Sequence, residues 1–223
     1  SMRRLFLIVL SVCLGCQLLT GLTPNAFAQT SEPTAKKAKA PAREPDVVYV
    51  PTPQSVVDKM LEMAEVKPGD VVYDLGCGDG RIVVTAAKKY GVKGVGFDIN
   101  PERIRESLAN VQSNHVEHLV TIKEADIFTL DLSEASVVTL YLLPALNVRL
   151  MPQLEKLKPG SRIVSHDFDM KGAKPVQVHQ MSTGDAEEED NFQNGEHTIY
   201  KWVVPLEKET ATPAKPVSPT SDK

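Results

Sequence analysis

The chain has 223 residues, 42% hydrophobic and 24% charged, with a formal net charge of −4. That length suits one domain with a full core and is short for two, and the charged fraction excludes wholesale disorder. Setting aside residues 1–45 and 205–223 leaves 16 bases and 24 acids between 46 and 204, a net of −8, which argues against nucleic acid as a partner because phosphate contacts need clustered Lys and Arg.

The N-terminus pairs Arg3-Arg4 with an apolar run from Leu5 to Leu14 and ends in Ala26-Phe27-Ala28. This is the layout of a signal peptide over residues 1–28, cut after Ala28, and it predicts an exported protein. The competing reading is an uncleaved membrane anchor over residues 5–22, and a weaker one is a lipoprotein site at Leu10-Ser11-Val12-Cys13, a partial lipobox with Val12 where Gly or Ala is usual. Cys13 and Cys16 would leave with a cleaved signal, so Cys77 would stand alone and no internal disulfide could form. Residues 29–45 read as a flexible linker and 205–223 as a disordered Pro-rich tail, framing one domain over 46–204.

Thr52-Pro53 predicts a helix start, with Thr52 as cap and Val56, Val57, Met60, Leu61 and Ala64 on one face. Lys67-Pro68-Gly69-Asp70 stops it. An apolar strand over 71–75 runs into Gly76-Cys77-Gly78-Asp79-Gly80, and a helix spans about 81–90. A second strand, 94–97, ends at Asp98, and Asn100 caps the next helix. A third strand, 120–123, ends near Asp126. The fourth, 136–142, is apolar throughout and predicted buried on both faces. A helix over 145–157 and a fifth strand over 162–165 follow. The rhythm then changes to a hairpin, 176–181 and 198–204, around the acidic run Asp185–Asp190. That run reads as a solvated loop, or as an attractor for a basic protein segment or a weak calcium site.

Alternating strands and helices imply a doubly wound, mostly parallel α/β sheet of Rossmann-like type, with an antiparallel C-terminal hairpin. Ligands of such sheets bind at the carboxyl ends of the strands. Gly76–Gly80, Asp98, Asp126, Leu142–Pro144 and His166-Asp167 all fall there.

Glycines at 76, 78 and 80 allow a sharp turn and a close backbone approach to a ligand. Asp98, 24 residues after Asp74, offers two acceptor oxygens to the hydroxyls of a ribose. A dinucleotide fingerprint would put its third Gly at 81, where Arg81 stands. Asp74 would oppose a pyrophosphate and suit a cationic amino group, so S-adenosyl-L-methionine (SAM) matches better. Cys77 reads as a small packing residue, since no His lies near it in sequence. His115, His118, His179 and His197 show no metal spacing and read as surface residues, and no metal is expected.

Asp74–Gly80 resembles motif I of the class I, seven-β-strand SAM-dependent methyltransferases. Gly96-Phe97-Asp98-Ile99-Asn100 resembles their acidic-loop motif, and Glu124-Ala125-Asp126-Ile127 their adenine-side motif. The resemblance covers about residues 47–204. It implies SAM as cofactor, held by Asp74, Gly76, Cys77, Gly78, Gly80, Asp98, Ile99, Asp126 and Ile127. Asp74 and Gly76 would lie near its methionine end, Asp98 at the ribose and Asp126 at the adenine. It also implies the strand order 3-2-1-4-5-7-6. Tyr49-Val50-Pro51-Thr52-Pro53, Tyr141-Leu142-Leu143-Pro144 and Lys158–Ser165 are similar to the non-SET protein lysine methyltransferases of the mitochondrial ATP-synthase c-subunit and nucleotide-translocator type.

That similarity implies methyl transfer to an amine acceptor, including a protein lysine. Tyr49 is then a candidate lid, and Tyr141, Leu142 and His166 are candidates for orienting or deprotonating the amine. Leu143-Pro144-Ala145 stands where amino-directed nucleic-acid enzymes carry an Asn/Asp-Pro-Pro-aromatic loop. A small-molecule O- or N-methyltransferase is the second reading. An exported SAM- or nucleotide-binding module without turnover is the third, motivated by the signal.

Overall fold

The apolar runs of the sequence form one seven-stranded sheet in the protein, a computed structural model that describes residues 48–183 and 195–209. The elements are α1 (Gln54–Met63), β1 (Val71–Leu75), α2 (Arg81–Tyr90), β2 (Lys93–Asp98), α3 (Pro101–Ser113), β3 (Val120–Glu124), β4 (Val137–Leu140), α4 (Pro144–Leu154), β5 (Arg162–His166), β6 (Gln177–Ser182) and β7 (Glu196–Val203), with a 3₁₀ turn at Ile127–Thr129. The strand order is β3-β2-β1-β4-β5-β7-β6, as expected. Strands β1 to β5 run parallel, and β7 is antiparallel to both β5 and β6. The proposed signal, the linker and the acidic run Asp185–Asp190 lie outside the described residues. Among the described residues no helix is long and apolar enough to cross a membrane. Residues 205–209, read from sequence as the start of the tail, run against Gly172–Lys174, with Lys174 N donating to Glu207 O and Glu209 N to Gly172 O.

Side-chain alternation divides the core. Val72, Val137, Val164 and Ile199 point to the face covered by α1 and by Ile82 and Ala86 of α2. Tyr73, Leu75, Val138, Leu140, Ile163 and Trp202 pack on the other face against Leu150 and Leu154 of α4. Asp74, Thr139 and His166 share the parity of the first set, so they sit above the α1 face at the top of the sheet. Every residue of β4 is buried, as an apolar central strand requires.

Among the boundaries that differ from the sequence expectation, three bear on the site or the core. Pro53, not Thr52, precedes the first helical residue, and no side chain caps α1. The Thr52 hydroxyl is buried and lies 3.2 Å from His166 Nδ1 instead. Strand β4 ends at Leu140, because Tyr141 and Leu142 leave the ladder to line the site. Helix α4 ends at Leu154, although Leu157 beyond it still packs into the core.

At the foot of the sheet, Asp70 accepts from the Ser136 hydroxyl at 2.7 Å and the Lys67 amide at 2.9 Å, and it pairs with the Arg162 guanidinium. Arg162 Nε also donates to Ala64 O at the end of α1. Burial by itself would raise the Asp70 carboxyl, but the Ser136, Lys67 and Arg162 donors outweigh it and hold the group below its usual value.

Candidate functional site

The glycine loop is drawn onto β2 by two amides, since Gly76 N and Cys77 N both donate to Phe97 O, at 2.8 and 2.9 Å. Gly78 has φ +54°, and a Cβ there would lie 2.2 Å from Tyr49 Cε2. The Tyr49 ring therefore rests against the loop at Gly78, a closeness that only glycine permits. Gly80 has φ +77° and backs onto α3, where a Cβ would meet Ser107 Cβ at 2.9 Å. Gly78 and Gly80 thus shape the loop from outside the cavity, whereas Gly76 and Cys77 line it. The Cys77 thiol is buried, and burial together with Asp74 pushes it well above its usual value. It is a packing group over Gly96, not a nucleophile.

A cavity of about 530 Å³ opens at the carboxyl ends of β1, β2 and β4, within the usual range of small-molecule sites. Asp74, Asp98, Ile99, Asp126 and Ile127 all line it. Each Asp98 oxygen accepts one backbone amide, Oδ2 from Gly78 and Oδ1 from Asn100, both at 2.9 Å. The carboxylate is fixed in orientation while each oxygen keeps a further lone pair for a ligand donor. Asp74 is buried beneath, accepting from Thr139 Oγ1 at 2.8 Å. Burial, with Asp98 and Asp79 nearby, pushes its pKa up to about 7. Asp126 caps the 3₁₀ turn, its Oδ1 accepting from Phe128 N at 3.0 Å, so one side chain both starts the turn and faces the cavity.

The mouth is built from residues that sequence reasoning largely missed. Arg81 grips Asp79 through Nε and Nη2, the latter at 2.7 Å, and donates through Nη1 to Thr52 O at 2.8 Å. This ties the segment preceding α1 to the glycine loop. Burial and the Asp79 carboxylate raise the Tyr49 hydroxyl, and the Arg103 guanidinium lies 4.6 Å from the Tyr49 ring centre. Arg81 was legible in hindsight as the residue that replaces a dinucleotide glycine. Arg103, in the first turn of α3, carried no signal.

Across the cavity stand Tyr141, Leu142, Leu143 and Phe168. Leu143 O is already used by the first turn of α4, accepting from Leu146 N and Asn147 N. Asn147, fully buried, donates to Phe168 O and Asp169 O and so pins the loop after β5. His166 is fully buried behind Tyr141, their ring centres 4.0 Å apart, and does not line the cavity. Its burial holds the imidazole well below its usual pKa. His197 is not a surface residue as the sequence suggested. The pairing of β7 with β5 buries it against His166, Nδ1 to Nε2 at 2.9 Å.

The chain is similar to known proteins. It is 50% identical over 162 residues to a protein-lysine N-methyltransferase of Saccharolobus islandicus, covering 72% of this chain and 95% of that protein. The chain belongs to the class I SAM-dependent methyltransferases. The family description "ANTKMT methyltransferase domain" matches residues 74–177. An ATP-synthase c-subunit lysine N-methyltransferase of Xenopus laevis is 33% identical over 58% of this chain and 57% of its own length. Among solved structures, an RNA methyltransferase of Salinibacter ruber in complex with S-adenosyl-L-homocysteine is 45% identical, with TM-score 0.61, over 70% of this chain and 94% of that one. SAM is the cofactor of this methyltransferase, and the non-catalytic reading falls.

Proposed function

We propose that this SAM-dependent methyltransferase carries its methyl group to an amine, the ε-amine of a protein lysine. The observation that carries this reading is the acceptor side of the cavity, which is apolar and aromatic (Tyr141, Leu142, Leu143 and Phe168) and lacks the polar base-binding loop of amino-directed nucleic-acid enzymes. The name of the 50%-identical relative supports it. SAM supplies an electrophilic methyl on a sulfonium. The chain aligns the acceptor with it and keeps water out.

The cofactor roles follow from the donor set. Asp98 takes the ribose hydroxyls, since its two oxygens are aimed by two amides. Asp74 takes the cationic amino group, whose charge compensates a carboxylate that burial disfavours. Gly76 and Cys77 line that end. Asp126, Ile99 and Ile127 bracket the adenine. Tyr49 closes the site from the loop side, and Tyr141 forms the wall at the methyl end. Carbonyls of Tyr141 and Leu142 are the acceptor-orienting candidates, because that of Leu143 is committed to α4. A lysine amine must be neutral to react, and an apolar wall lowers its pKa. His166 acts through Tyr141 and not on substrate, because it does not reach the cavity.

The Salinibacter relative's name supports a second reading, RNA as acceptor, which the net charge of −8 over 46–204 disfavours. Residues 1–28 support export or membrane anchoring on sequence grounds. Sequencing the N-terminus of protein from its native source tests this, with Gln29 expected first. For the acceptor, the chain is incubated with methyl-labelled SAM and, in parallel, lysine-containing basic polypeptides, the same polypeptides with Arg for Lys, and total RNA. Label on the lysine polypeptides alone is the expected result. Label on RNA, or equal label on the Arg polypeptides, overturns the lysine reading.

A further inference from the structure

Strand β5 ends in His166, Asp167 follows, and β7 returns antiparallel with His197 near its start. The three side chains meet at one point. His166 Nε2 lies 2.9 Å from His197 Nδ1, and Asp167 Oδ2 lies 3.2 Å from each of them. We propose that His166, Asp167 and His197 form a binding site for one divalent first-row transition-metal ion, distinct from the SAM cavity.

The spacing of the triangle fits metal ligation. Ligand atoms held at about 2.1 Å from one ion are spaced about 3.0 Å apart in octahedral and about 3.4 Å apart in tetrahedral geometry. Two imidazoles and one carboxylate on one face are a donor set for zinc or iron(II)-type ions with open positions. An ion at the centre of the triangle would contact all three atoms at once.

The surroundings hold the ligands in place. His166 Nδ1 faces Thr52 Oγ1 at 3.2 Å, the outer contact that orients a ligating ring. Asp167 Oδ1 accepts from Thr198 N at 2.9 Å, leaving Oδ2 for the triangle. The backbone of Asp167 is left-handed, φ +57°, and this turns its side chain back toward the two rings. His197 is buried, and among the described residues its Nε2 has no partner, so its polar contacts are all at the triangle. Only the Asp167 side is partly open, at 26% exposure, giving an entry path. The ion would tie β5, β7 and the Thr52 segment together beneath Tyr141 and so support the acceptor wall, without touching substrate.

The full chain, stripped with chelator, is titrated with Co²⁺ by visible absorption and with Zn²⁺ by calorimetry. Circular dichroism and S-adenosyl-L-homocysteine binding report on folding. One equivalent is expected to bind at micromolar affinity or tighter. His197→Ala is expected to weaken it at least about 30-fold with S-adenosyl-L-homocysteine binding retained, and Thr52→Val about 10-fold. Asp167→Asn serves as the second ligand variant should His197→Ala not fold. The proposal is overturned if the folded wild type takes up no ion at millimolar concentration, or if a folded ligand variant binds as tightly as wild type.

Discussion

Asp74 and Gly78 carry the sharpest consequences at the scale of single residues. The Asp74 carboxyl sits at about pKa 7 in the free protein, above its unfolded value. The native state therefore binds that proton more tightly than the unfolded chain does. Its stabilising contribution is present at low pH and is lost as pH rises through about 7. On the proposed placement of the cofactor's amino group beside Asp74, the preference reverses and binding is expected to release a proton. SAM affinity is expected to rise by up to about tenfold per pH unit between about pH 5 and about pH 7, and Asp74→Asn is expected to flatten that rise. Calorimetry in buffers of different ionisation enthalpy checks the proton count directly. At Gly78 the obstacle is the Tyr49 ring, so Gly78→Ala and Tyr49→Ala are not independent. Each alone is expected to weaken product binding by about tenfold or more, while the double variant loses far less than their sum, a coupling that a double-mutant cycle measures. Little of this was visible in the sequence. The three glycines marked a turn, but which of them faced the ligand depended on packing by Tyr49 and Ser107, residues far away in the chain.

Among the elements, the foot of the sheet decides stability while its top decides function. Asp70, Ser136 and Arg162 come from the starts of β1, β4 and β5 and join α1 through Ala64 O. Removing one partner of this largely buried pair, as in Asp70→Ala, is expected to cost about 3 kcal/mol in chemical denaturation, with cofactor affinity per folded molecule unchanged. The element pattern itself was legible. Apolar runs of strand length, a Pro-Gly stop after α1, a second before β5 and the Asn100 cap all act locally. The Thr52 cap was misassigned, since a longer-range partner, His166, took its hydroxyl. The His166–His197 contact was invisible for a similar reason, because it depends on the register of an antiparallel pair with residues 31 apart in sequence.

For the whole molecule, charge and cavity together shape the choice of acceptor. On the proposed lysine reading, a body with net charge −8 over 46–204 would attract a basic acceptor segment through a field that salt screens. The KM for a basic lysine polypeptide is expected to rise about threefold or more between low and about 0.3 M salt, with kcat little changed. A neutral lysine peptide is expected to show no such dependence. The ribose role proposed for Asp98 is central to the account, because the glycine loop, β2 and the cavity converge on that carboxylate. Calorimetric titration of the wild type and Asp98→Ala with S-adenosyl-L-homocysteine tests it most directly. One site of micromolar affinity in the wild type, weakened about 100-fold in a folded Asp98→Ala protein, is the result predicted. Equal affinity in the two proteins would contradict it.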